Sequence, residues 1–124
     1  MNYKLLHFKK TIFFRVDGDH GKKAGLGHIY RTLKIYFFLK KKYKKKYNFI
    51  FIMKNFYPGK KIIKKFTSEK IFIYKNNYLN YKLFKPSDIF IIDTLGGEKN
   101  LIKKIYDFGI KKIISFDEIN IKMF

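Results

Sequence analysis

Thr11-Ile12-Phe13-Phe14-Arg15-Val16, closed by Asp17-Gly18, leads through a glycine-bearing stretch into Gly25-Leu26-Gly27-His28-Ile29-Tyr30-Arg31. The first six residues are mostly β-branched or aromatic and stop at a turn signal, which predicts a strand. After Gly27 the spacing changes. Ile29, Leu33, Tyr36, Phe37 and Lys40 recur at three- and four-residue steps, which predicts a helix ending within residues 40–46. The stretch from Gly18 to Gly27 holds four glycines, both ends included. Glycine lets a backbone come close to a ligand, and the first N–H groups of a helix point at whatever lies beyond its start.

The rest of the chain repeats this alternation. Residues 47–53 form a continuous apolar run, a second strand. Pro58-Gly59 opens a short helical segment whose buried side is Ile62, Ile63 and Phe66. Residues 70–74 read as a third strand, and 76–84 as either a short helix or a loop. Residues 88–93 (DIFIID) read as a fourth strand. Residues 98–108 read as a helix with Leu101, Ile102, Ile105 and Phe108 inward and Gly109 as its stop. Residues 111–116 (KKIISF) read as a fifth strand, ended by Asp117. Near-continuous apolar strands separated by helices imply an α/β fold: a Rossmann-like parallel five-stranded sheet covered on both faces, in the order 3-2-1-4-5. Ligands of such sheets bind at the carboxyl ends of the strands, where Asp17, Asp93 and Asp117 stand.

Composition bounds the possibilities. The 124 residues fit one domain, residues 11–124, after a lysine-rich extension at 1–10. Hydrophobic content of 47% is too high for a disordered chain. The absence of cysteine excludes disulfides and thiolate metal sites and fits a cytoplasmic location. No signal peptide is recognisable, and no apolar run approaches the roughly 18–20 residues of a membrane span. The net charge of +20 invites a nucleic-acid reading. Of 29 basic residues, however, only Arg15 and Arg31 are arginine, and the excess of Lys, Ile, Phe, Tyr and Asn is what A/T-rich codons produce. The lysines are spread along the chain. They imply weak attraction to polyanions and no specific nucleic-acid partner.

Several residues have the chemistry of a site. His28, in the first turn of a helix, could act as a base toward water, contact a sugar or phosphate, or only hydrogen-bond nearby backbone. Arg31 shares its helix face, and an arginine kept in a lysine chain suggests use of the guanidinium fork. Asp17 could orient His28, hold a sugar hydroxyl, or close its loop by an Asx-turn. Asp93-Thr94-Leu95-Gly96-Gly97 suits a loop beside a ligand cleft or a turn before a helix. Of Asp117 and Glu118, adjacent on an extended chain, at most one faces a cleft. His20 reads as a solvated loop residue and His7 as non-functional. The glycine loop is neither a dinucleotide fingerprint nor a P-loop. No Ser or Cys nucleophile, and no cluster with metal-ligand spacing, is evident.

Phe14-Arg15-Val16-Asp17-Gly18, Gly25-Leu26-Gly27-His28-Ile29-Tyr30-Arg31, Ile91-Ile92-Asp93 and Ile113-Ile114-Ser115-Phe116-Asp117-Glu118 occur in this order. Together they resemble the N-terminal domain of the UDP-sugar hydrolases of pseudaminic acid biosynthesis and of related glycosyltransferase-like proteins of spore-coat polysaccharide biosynthesis. The Gly-x-Gly-His-x-x-Arg element is the specific part, and the likeness spans roughly residues 11 to 120. The chain is more distantly similar to the transferase that adds N-acetylglucosamine in peptidoglycan synthesis. The resemblance implies one half of a two-domain GT-B fold and release of UDP from an acetamido-deoxy sugar by water attack at the anomeric carbon. His28 would be the general base, with Asp17 beside it, and Gly25, Gly27, Arg31, Asp93 and Asp117 would bind substrate. No cofactor or metal is implied. The chain departs from the family in a longer loop between Asp17 and Gly25. The resemblance covers one half of that two-domain architecture, so a separate nucleotide-binding domain or subunit is the expected partner and full turnover by this chain alone is not expected. The alternatives are a glycosyltransferase-like half that needs such a partner, and a lysine-rich polyanion-binding module.

Overall fold

In a computed structural model, the described residues are 9–18, 26–55, 57–75, 80–94 and 98–116, with the backbone alone of 81 and 121–123. They comprise β1 (Lys10–Val16), α1 (Leu26–Tyr43), β2 (Tyr47–Met53), α2 (Tyr57–Phe66), β3 (Lys70–Ile73), a 3-10 turn (Tyr81–Leu83), β4 (Ile89–Asp93), α3 (Lys99–Phe108), β5 (Lys112–Phe116) and β6 (Ile121–Met123). The sheet order is β3-β2-β1-β4-β5-β6. The first five strands are parallel and carry the expected order. The sheet departs from the five-stranded expectation at its edge, where β6 pairs antiparallel with β5. Three residues, one of them lysine, give no apolar run by which to recognise that strand.

Strand parity divides the core. Ile12, Phe14 and Val16 of β1 join Phe49, Phe51 and Met53 of β2 on the face covered by Ile29, Leu33 and Tyr36 of α1 and Ile63 of α2. Phe13 of β1 joins Ile50, Ile52, Phe90 and Ile92 on the other face, covered by Leu101, Ile102 and Ile105 of α3. Aromatic neighbours set by register stack on both faces: Phe13 on Phe90 at 5.0 Å and Phe14 on Phe51 at 5.2 Å between centroids. Each such fully buried side chain contributes about 1.5–3 kcal/mol over exposure.

The helix ends follow the sequence. Lys40, Lys41 and Lys42 occupy the last turn of α1, where cations favour the dipole. Gly109 closes α3 at φ 127°, a conformation that favours glycine, and the N–H of Ile110 returns to the carbonyl of Ile105. Some apolar spacings do not face inward: Phe66 and Phe108, expected on the buried sides of their helices, are exposed, as is Phe37, while Thr32 is buried in α1. Helix position alone does not say how wide the buried stripe is. Among the described residues no helix is long and apolar enough to cross a membrane.

Candidate functional site

The sheet order reverses at β1, since β2 lies on one side of it and β4 on the other. The crevice outside the carboxyl ends of β1 and β4 is therefore the topological switch point, the usual ligand position of an open α/β sheet. Val16 and Asp93 are paired there. Asp93 falls in step with Ile89 and Ile91, so it points to the α1 face.

Asp93 is fully buried, and α1 supplies its partners. His28 Nδ1 lies 2.7 Å from Asp93 Oδ1. Arg31 donates from Nε to Oδ2 at 2.7 Å and from Nη2 to Oδ1 at 2.6 Å. The Thr32 hydroxyl stands 3.5 Å from Oδ2. The Arg31 guanidinium also lies over the Phe116 ring, 5.3 Å from its centroid. Its pKa is raised: the hydrogen bond to Asp93 is the largest cause, burial opposes it, and the charge of Asp93 adds to the rise. A carboxylate only accepts, so His28 Nδ1 carries the proton it shares with Asp93. In the neutral ring, Nε2 then holds the lone pair. It has no hydrogen-bond partner among the described residues. A carboxylate fixing the tautomer of a histidine whose other nitrogen meets none of the described residues is an arrangement a general base can use.

Gly27 precedes His28 and is exposed in the first turn of α1. A Cβ there would meet nothing within 4 Å. The packing therefore gives no reason for a residue that costs a helix interior up to ~1 kcal/mol relative to alanine. Gly18 and Gly59 differ: a Cβ on Gly18 would strike Ile29 at 2.5 Å, and one on Gly59 would strike the Gly18 carbonyl oxygen at 2.8 Å.

Asp17 does not join His28. Its two oxygens accept from Nη1 and Nη2 of Arg15, both at 2.7 Å, and Oδ1 also accepts from the backbone N–H of Lys54. The expectation that Asp17 orients His28 is corrected: Asp93 does so, from a strand 65 residues away in sequence. Arg15 is wholly buried on the α3 face. It also donates to Glu98 Oε1 at 3.0 Å and to the carbonyls of Val16 and Ile52, and its guanidinium lies 4.8 Å from the Tyr74 ring centroid. Burial acts to lower its pKa, but the hydrogen bond to Asp17 and the charges of Glu98 and Asp17 outweigh this, and the pKa is raised.

Of the other expected site residues, Gly25, Asp117, Gly96 and Gly97 lie outside the described residues, as does His20, read as a solvated loop residue. The sequence reading missed Thr32, four residues after His28 on the same helix face, and the pairing of Arg15 with Glu98. A charged residue in the middle of an apolar strand, in step with Phe13, was the available signal for the second. Comparison of the chain with protein-family models, curated proteins and solved structures finds no match.

Proposed function

We propose that this chain is the sugar-side half of a nucleotide-sugar hydrolase. His28 Nε2 takes a proton from water as the oxygen forms a bond to the anomeric carbon of a UDP-linked acetamido-deoxy sugar. The bond from that carbon to the diphosphate oxygen breaks, and UDP leaves with the bonding pair. The observation that carries this reading is the hydrogen bond of His28 Nδ1 to buried Asp93 at the sheet's switch point. Asp93 holds the ring in the tautomer that leaves Nε2 basic, and it stabilises the imidazolium that forms. Arg31 keeps Asp93 in place. Gly27, with open space above it, lets substrate approach the start of α1. The Gly-x-Gly-His-x-x-Arg resemblance supports the same assignment. General-base catalysis supplies about 10²–10⁴-fold. Holding the diphosphate supplies at least as much and is assigned to a second, nucleotide-binding domain.

UDP release from a UDP-acetamido-sugar, by the chain alone and by the chain fused to a nucleotide-binding domain of the resembling family, tests this. Turnover is expected in the fusion and should fall by ~10²–10⁴ in His28→Ala. Full activity of that variant removes His28 as the base. A glycoside in place of the free sugar, when an acceptor is supplied, would make the chain a transferase half.

A further inference from the structure

Among the described residues, Arg15 Nε, Thr94 Oγ1 and Glu98 Oε2 are buried side-chain atoms without a hydrogen-bond partner. Arg15 and Glu98 meet at one end of the sheet, and Thr94 directly follows the last residue of β4 at that same end. Arg15 alternates with Phe13 toward α3, the side that Phe90 and Ile92 of β4 also face. The register pairs Arg15 with Ile92 and Val16 with Asp93, so Thr94 stands at the carboxyl edge, two residues beyond the partner of Arg15. Glu98, immediately before α3, reaches back to Arg15 at 3.0 Å. Thr94 is only 5% exposed and the Arg15 side chain 0%. Buried polar groups in folded proteins are nearly always paired, and each exception asks for an explanation.

The unpaired atoms are of three kinds. Glu98 Oε2 only accepts, Arg15 Nε only donates, and the Thr94 hydroxyl does both. One cation against Asp17 and Glu98 leaves the group one negative charge, in a chain of net charge +20. The group itself therefore offers no excess cation to an anion, and neutral donors and acceptors are favoured. Neighbouring hydroxyls of a sugar ring fit: one donates to Glu98 Oε2 while the next accepts from the Thr94 hydroxyl. Glu98 has φ 50° and ψ 61°, a left-handed conformation that non-glycine residues seldom adopt. Its carboxylate is held against Arg15 at that cost.

We infer that Arg15, Thr94 and Glu98 form a subsite for sugar hydroxyls, beside the His28–Asp93 pair and on the opposite side of the end of β4. This rests on the sugar-site reading above and adds to it where the ring is held. Thr94 and Glu98 contact the sugar, and Arg15 positions Glu98.

The test is an NMR titration of the full chain with millimolar N-acetylglucosamine, following backbone amides in the wild type, Thr94→Val, Thr94→Ser and Glu98→Gln. The amides of Thr94 and Glu98 are expected to shift saturably in the wild type. Losing one hydrogen bond should weaken binding about 5-fold in Thr94→Val and in Glu98→Gln, and Thr94→Ser, which keeps the hydroxyl, should bind as the wild type does. Inorganic phosphate should leave these amides in place. The inference is overturned if the sugar does not move them, as when a trapped water alone fills the site. It is equally overturned if Thr94→Val and Glu98→Gln bind unchanged, or if phosphate moves the amides instead. Binding is read without turnover, so failure of the hydrolysis assay and failure of this subsite are separate results.

Discussion

Arg31 grips Asp93 along one edge, Nε on Oδ2 at 2.7 Å and Nη2 on Oδ1 at 2.6 Å. Arg15 grips Asp17 end-on through both Nη atoms. The chain's two arginines thus each close a fork on an aspartate at the carboxyl end of a strand, a geometry the single ammonium of lysine does not reproduce. Arg15→Lys is expected to cost about 3 kcal/mol, because the pair is sequestered. Arg31→Lys should cost about 1 kcal/mol, since water reaches a side chain that is 42% exposed. Urea unfolding of both variants checks the order, and equal losses would contradict it.

Asp93→Asn separates the orienting role from mere charge. The amide places an NH2 where His28 or Arg31 already donates, and the favoured outcome is a histidine turned to accept at Nδ1. Nε2 then carries the proton and is no longer a base. UDP release by the fused enzyme should fall about 10²–10⁴-fold. KM should change much less, since substrate binding does not use that proton. A large KM effect with unchanged kcat would instead make Asp93 a binding residue.

Much of the fold was legible because it depends on local runs. Continuous apolar strands, two-residue parity and a glycine stop are each visible within ten residues of sequence. The partners of the site were not. Asp93 meets Arg31 across 62 residues, and Arg15 meets Glu98 across 83. Both contacts depend on β4 lying beside β1, as the expected order has it, but a strand order does not say which side chains meet at the strand ends. His28, Arg31 and Asp93 were nameable as candidates from their places at a helix start and a strand end. Assigning Asp17 to His28 failed because a neighbouring buried arginine claims a carboxylate more strongly than a histidine in the next element. The scarcity of arginine was the sequence signal that held for both forks.

Tyr36 offers a pH-dependent check on the α1–α2 side of the core. Its hydroxyl donates to Glu69 Oε2 at 2.7 Å and accepts from Thr67 Oγ1 at 3.0 Å, while Lys40 closes on the same carboxylate. Burial foremost, with the Glu69 contact, pushes its pKa up to about 12, against a smaller opposing effect of Thr67. An unfolded tyrosine ionises near pH 10. The folded chain therefore keeps the proton where the unfolded chain loses it. The contribution to stability is whole below about pH 10 and is lost as the pH rises through about 12. Absorbance titration should show one phenol ionising late, and Tyr36→Phe should remove that component. An unchanged titration curve in the variant would place the late phenol elsewhere.

Gly27 and Gly59 should respond to alanine in opposite ways. At Gly59 the new Cβ would meet the backbone oxygen of Gly18 at 2.8 Å, with the Gly59 N–H already bonded to that oxygen, so neither side yields easily. A loss of about 1–3 kcal/mol is expected. At Gly27 the Cβ would meet open space in the first turn of a helix, and alanine costs less conformational entropy than glycine. Gly27→Ala should therefore raise stability by up to about 1 kcal/mol. If the glycine is there so that substrate can approach the backbone beside His28, the same variant should hydrolyse UDP-sugar poorly in the fused enzyme, with a raised KM. Gain of stability with loss of substrate affinity is the signature of a residue retained for a ligand. Gain of stability with unchanged kinetics would mean that Gly27 serves no substrate and that the start of α1 is not the face the sugar approaches.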